Sequence, residues 1–105
     1  MNAVILYIAL FMQVPEQNLL IFSNASWCKP CIKMKQEVFT DDEVKTELKS
    51  FTINDNLGDK DYKNWKVDKI PTFIIIENVR GIGYVEKRRF TGFMDKKKFL
   101  EFLKR

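Results

Sequence analysis

The segment Leu19–Cys31 constrains this chain more than any other. A short apolar run, Leu19-Leu20-Ile21-Phe22-Ser23, ends in polar residues, and soon after it stand the only two cysteines of the chain, Cys28 and Cys31. An apolar run of this length bounded by turn residues reads as a buried central strand. Asn24-Ala25-Ser26 reads as a turn, with Ser26 as the helix cap. From Cys28 onward, Cys31, Met34, Lys35 and Val38 recur at the spacing of one helix side. Pro30 falls in the first helical turn, where its missing N–H costs little. A buried strand therefore runs straight into a helix, with a Cys-x-x-Cys pair at the junction.

The rest of the chain extends this pattern. Thr40-Asp41-Asp42-Glu43 reads as a capping box that opens a second short helix with Val44 and Leu48 inward. Phe51–Asn54 alternates as a strand does, Asp55–Gly58 is a turn, and Asp59–Trp65 is a short helix. Thr72-Phe73-Ile74-Ile75-Ile76, preceded by Ile70-Pro71, is the strongest strand in the sequence. Asn78–Gly83 reads as a loop with two glycines and Tyr84–Thr91 as the antiparallel partner strand. Gly92 breaks that strand, and Asp95 caps a last helix with Phe99, Leu100, Phe102 and Leu103 facing inward. Strands alternating with helices predict an α/β fold with parallel pairing in the first half, and the closing hairpin makes the sheet mixed. The expectation is one domain over residues 1–105, a sheet of four or five strands with helices on both faces.

The N-terminus is ambiguous. Ala3–Met12 is an uninterrupted apolar run of ten residues, broken by Val14-Pro15-Glu16-Gln17-Asn18. It is shorter than the roughly 18–20 residues that span a membrane. No Lys or Arg precedes it, and no small-x-small cleavage site follows. It reads as a buried first element, strand or helix, with a signal or anchor as the alternative.

Composition narrows the chemistry. The chain has no histidine, which removes histidine general acid–base catalysis and every histidine-containing dyad or metal site. Two cysteines cannot make a four-cysteine zinc site within one chain, and half a zinc or iron–sulfur site completed by a dimer is a remote alternative. The net charge of +4 is mild. Arg88 and Arg89 are neighbours on a strand and point to opposite faces, so they make a poor shared phosphate site. Lys96-Lys97-Lys98 reads as a solvated face.

A Cys-x-x-Cys pair at a helix start has a definite use. Unpaired backbone N–H groups and the positive end of the helix dipole stabilise an anion there, and the anion is a thiolate. A free cysteine with a pKa of about 8.5 is lowered by such surroundings. Cys28, first in the helix, is the expected nucleophile. Cys31, nearly a turn deeper, is the expected resolving thiol. Lys29 adds a cation beside Cys28 that favours its thiolate.

Trp27-Cys28-Lys29-Pro30-Cys31, Ile70-Pro71-Thr72 and Gly92, in this order, resemble the active-site motif, the cis-proline element and the final glycine of the thioredoxin family. Lys29 stands where most members have glycine. The resemblance covers Leu19 to the C-terminus. Phe39–Val44 also resembles the reducing thioredoxin-like domains of thiol–disulfide interchange proteins. The resemblance implies a thioredoxin fold with a cis peptide bond before Pro71. It implies that Ile70 and Thr72 offer backbone to an extended substrate, and that Trp27, Ile70, Gly92 and Phe93 line an apolar recognition surface, with Lys29 and Pro30 supporting the cysteines.

Three departures stand out. The buried acid that members carry six residues before the first cysteine is replaced by Phe22, and its lysine partner, counted back from Ile70-Pro71-Thr72, falls at Thr52. Joint loss avoids stranding one buried charge. Glu37 is a weak substitute base that reads better as a solvated residue. Lys29 predicts a potential less reducing than that of thioredoxin, about −270 mV. The hairpin is longer than in ordinary members, with the added length in Glu77–Gly83.

The function expected is reduction of protein disulfides by dithiol–disulfide exchange, with Cys28 and Cys31 catalytic and no metal or organic cofactor. The expected partners are protein disulfide substrates and a thioredoxin reductase or other thiol donor, with no nucleic acid or membrane, and the chain is expected to be a monomer. The alternatives are a glutathione-linked, glutaredoxin-like reductase and an adaptor that docks partners around Trp27 and Pro71 with little turnover. A lone catalytic pair points to the reducing cytoplasm. An extracytoplasmic site is the alternative if Ala3–Met12 is an anchor.

Overall fold

The computed structural model describes residues 18–55 and 63–105. Four strands, β1 (Asn18–Ser23), β2 (Phe51–Asn54), β3 (Thr72–Val79) and β4 (Gly83–Thr91), form one sheet in the order β2-β1-β3-β4. β1 pairs with β2 in parallel, and β3 runs antiparallel to both β1 and β4. This is the mixed sheet that the alternation of elements predicts. The helices are α1 (Lys29–Lys33), which continues into a π-helical turn (Met34–Val38), then α2 (Asp42–Leu48) and α3 (Lys96–Lys104). Among the described residues, no helix is long and apolar enough to cross a membrane.

Strand alternation sorts the apolar residues onto two faces. Leu20, Phe22, Phe73 and Ile75 form the main core with Cys31, Met34, Val38, Val44, Met94 and the inner residues of α3. Phe22 stacks on Phe73 with ring centroids 5.0 Å apart, and Phe39 meets Phe22 edge-on at 5.0 Å. Phe99 closes on Phe73 at 5.3 Å. The three helices all bury residues in this core. Ile21, Ile74 and Ile76 face the other way, packed with Leu19, Trp65 and Val67. Most of the helix expected at Asp59–Trp65 lies outside the described residues. Its end, Lys63–Asn64, is helical. Ala3–Met12, residues 14–17 of the breaker that follows it, and most of the turn Asp55–Gly58 also lie outside the described residues, while Asn18, read as the end of the breaker, instead opens β1 and pairs with Phe51.

Several local expectations are corrected. The cap of α2 is Asp41, whose carboxylate accepts from the backbone of Glu43 and Val44 at 2.9 and 3.2 Å. Thr40 is instead turned back, its hydroxyl donating to the Gln36 carbonyl at 2.7 Å. Lys35 is exposed rather than inward. The wide turn, closed by Phe39 N–H donating to the Met34 carbonyl at 2.9 Å, carries the apolar stripe from Met34 to Val38 and leaves Lys35 outside. The hairpin loop is shorter than Asn78–Gly83. Asn78 pairs with Tyr84 and Val79 with Gly83, so the added residues lengthen the ladder. A tight turn at 80–82 remains, with Gly81 and Gly83 at φ 83° and 104°.

Lys96 is not merely solvated. Its ammonium lies 3.1 Å from Asp41 and 3.8 Å from Glu43, tying the start of α3 to the start of α2. The hydrogen bond from Lys96 holds the Asp41 carboxyl below its usual range. Arg88 and Arg89 do face opposite ways. Arg88 donates to the carbonyls of Phe102 and Leu103 at 2.6 and 3.0 Å, capping the end of α3.

Candidate active site

The carboxyl end of β1 delivers the chain to Cys28 through a turn in which Cys28 N–H donates to the Ala25 carbonyl at 3.2 Å. The cap of α1 is Cys28 itself, not Ser26. Cys28 is extended (φ −84°, ψ 107°), and its Sγ accepts from Cys31 N–H at 3.2 Å. Pro30 occupies the first turn, where no intrahelical donor is lost. The Cys28 sulfur thus sits at the helix start on the Cys31 N–H, a position where a thiolate gains from both the hydrogen bond and the dipole.

Cys28 and Cys31 are joined as a disulfide, with Cα atoms 5.2 Å apart. Both are buried, Cys28 at 4% exposure and Cys31 at 0%. Cys31 rests on the main core, beside Met34 and the aromatic cluster. Lys29 and Pro30 are exposed. Trp27 is 76% exposed, so it is a surface aromatic and no part of the core.

The loop before β3 meets the same end of the sheet, where Thr72 pairs with Ser23. The Ile70–Pro71 peptide is cis, as the resemblance implied. The turn around it is closed by Thr72, whose hydroxyl donates to the Lys69 carbonyl at 2.6 Å and lies 3.0 Å from the Thr91 hydroxyl. Gly92 N–H donates to the Pro71 carbonyl at 2.8 Å. Gly92 has φ 116°, and a Cβ there would meet only the Phe90 ring at 3.8 Å, so backbone conformation rather than space calls for glycine. Phe93 is half-buried under the Lys33 ammonium, 4.5 Å from its ring centroid. Met94 N–H reaches the Met34 sulfur at 3.4 Å, joining this loop to the helical segment that follows the cysteines.

Phe22, in place of an acid, is buried in the aromatic cluster. Thr52 pairs with Leu19, one residue out of phase with Leu20 and Phe22, so it belongs to the other face of the sheet. The two positions counted as an acid–base pair therefore do not face each other. Glu37 is exposed and lies 3.9 Å from Lys33. Sequence reasoning missed Thr91, Met34 as a partner of the Met94 backbone, and Phe39 as the ring that seals Phe22. Thr91 stands directly before Gly92, but only the strand order brings it opposite Thr72.

The arrangement matches known proteins. A thioredoxin from Thermus thermophilus superposes with a TM-score of 0.69 at 21% identity, over 97% of this chain and 78% of that one. Trichomonas vaginalis thioredoxin gives 0.65 at 19% identity, over 93% and 86%. The reduced C-terminal domain of Neisseria meningitidis DsbD gives 0.64 at 19% identity, over 98% and 94%. At these identities the likeness is one of fold. No curated protein sequence matches the chain significantly. The family model for the thioredoxin-like domain matches residues 12–105. With that family match, a thioredoxin fold and a Cys-x-x-Cys pair joined as a disulfide, the chain belongs to the thioredoxin-like domain family, as a thiol–disulfide oxidoreductase.

Proposed function

We propose that the chain works as a single thioredoxin-like domain that reduces protein disulfides. The observation that carries this reading is the Cys28 sulfur at the cap of α1, bonded to Cys31 and accepting its N–H, at the end of the sheet where Thr72 follows cis-Pro71 and pairs with Ser23. In the dithiol form, the Cys28 thiolate attacks one sulfur of a substrate disulfide. A Cys28–substrate bond forms, the substrate S–S bond breaks, and the leaving thiolate takes up a proton. The Cys31 thiolate then attacks Cys28 Sγ, restores the Cys28–Cys31 disulfide and releases the second substrate thiolate. Two electrons pass to the substrate, and a thioredoxin reductase or another thiol donor returns them.

The exposed Trp27, with Ile70, Gly92 and Phe93, supplies the apolar docking surface. The backbone of Ile70 receives an extended substrate. Thr72, 1% exposed and paired with Ser23 and Thr91, holds the loop from behind. Lys29 favours the Cys28 thiolate and makes the potential less reducing than that of thioredoxin. No metal or organic cofactor enters this cycle, and a reducing cytoplasm suits it.

The test is insulin reduction driven by dithiothreitol, paired with trapping. The wild type should accelerate insulin precipitation. Cys31→Ser should accumulate a mixed disulfide at Cys28, seen by mass spectrometry. No trapping at Cys28 in that variant, with no turnover by the wild type, overturns the reading. Partner capture that survives replacement of both cysteines by serine would favour an adaptor.

A further inference from the structure

The loop that carries Ile70 and Pro71 is held at both ends. Its final carbonyls are held by Thr72 and Gly92, as described above. Its first two are held by one side chain. Arg89 donates through Nη2 to the Trp65 carbonyl at 2.9 Å and through Nη1 to the Lys66 carbonyl at 3.4 Å. Lys66 is the one non-glycine residue with positive φ, 53°, among those described, a conformation that needs outside support. The other edge of the guanidinium forks onto Glu86, Nε to Oε2 at 2.8 Å and Nη2 to Oε1 at 2.5 Å. Arg89 and Thr91 alternate on one face of β4, so the same strand that engages Thr72 also fixes the loop's entry.

We propose that Arg89, aimed by Glu86, is a positioning residue for substrate docking: it sets the loop from Trp65 to Pro71 so that the Ile70 backbone meets an extended protein substrate beside Cys28. The inference rests on the reductase reading and adds to it the residue that shapes its docking edge. A planar guanidinium suits the task because it binds a carboxylate with one edge and two carbonyls with the other. A lysine ammonium cannot hold all three in one plane. Arg89 touches neither sulfur, so its loss acts on docking and leaves exchange chemistry alone.

The test compares wild type, Arg89→Met, Arg89→Lys and Glu86→Gln on two substrates, insulin and the small aromatic disulfide 5,5′-dithiobis(2-nitrobenzoate). Arg89→Met should raise KM for insulin about five- to tenfold, the worth of a hydrogen bond or two. Its insulin kcat, its rate with the small disulfide and its reduction potential should stay at wild-type values. Arg89→Lys should not rescue KM. If Arg89→Met does not fold, Glu86→Gln loosens the same fork and should raise insulin KM about two- to threefold. An unchanged insulin KM in a folded variant overturns the inference, as does an equal loss on both substrates. A wild type that reduces neither substrate removes the reductase reading, and this inference with it.

Discussion

The start of α1 and the starts of α2 and α3 solve the same problem with different atoms. Each helix must satisfy N–H groups that have no partner in the turn before. In α2 and α3 the solution is a carboxylate. Asp41 accepts from Glu43 and Val44, and Asp95 accepts from Lys98 N–H at 2.9 Å. In α1 it is the Cys28 sulfur, a weak acceptor, holding Cys31 N–H at 3.2 Å. An aspartate anion makes a helix start stable and inert. A cysteine there becomes an anion only when reduced and ionised, so the stabilisation the helix offers goes to the reactive form. The difference teaches that the cap position is a place to store either stability or reactivity, and this chain uses it both ways.

The sharpest break in this comparison is Cys28→Ser. Serine is a better neutral cap but no nucleophile. Insulin reduction should fall to the uncatalysed background, while the variant melts at or above the reduced wild type, by up to about 1 kcal/mol. A lower stability would show that Cys28 contributes to packing more than to capping.

Asp95→Ala should give the reverse result. Stability should drop by about 1 kcal/mol, or about 5 °C in Tm, with insulin kcat/KM unchanged. Thermal melts and turnover on the same preparation check both halves.

The smallest effect expected is at Asp41. Its carboxyl is held below its ordinary value of 3.8, first by the hydrogen bond from Lys96. A depressed folded-state pKa gives stability that is present above the unfolded pKa and is lost as pH falls through the folded one. Asn also caps, so Asp41→Asn isolates this charge effect. Its Tm should lie slightly below that of wild type at about pH 6, and the gap should close as pH drops well below 3.8. High salt should shrink the same gap, because the pair is exposed.

Much of the molecule was legible from local rules. The run from Thr72 to Ile76 could only be a central strand. Pro30 and the cysteine spacing placed the site at a helix start, and Asp95 marked the start of α3. Legibility failed where a local rule had a competitor. Thr40 and Ser26 are good caps by type, but Asp41 and Cys28 stood closer to the first free N–H groups. Asn78 and Val79 look like loop residues beside two glycines, yet Tyr84 and Gly83 gave them ladder partners. Counting back from Ile70-Pro71-Thr72 put Thr52 opposite Phe22, and strand register put it on the other face.

By itself, then, the sequence determined which elements form, where the two cysteines lie on them, and the chemistry that spacing allows. These depend on interactions within a few residues: periodicity, caps and the fixed φ of proline. Only the tertiary structure decided what surrounds the sulfurs. Thr91 and Arg89 reach the cis-proline loop because β4 lies beside β3. Met34 meets the Met94 backbone across sixty positions of chain, and Phe39 seals Phe22 because a five-residue turn moves it inward. Those contacts join segments far apart in sequence, and register and packing alone fix which side chains meet.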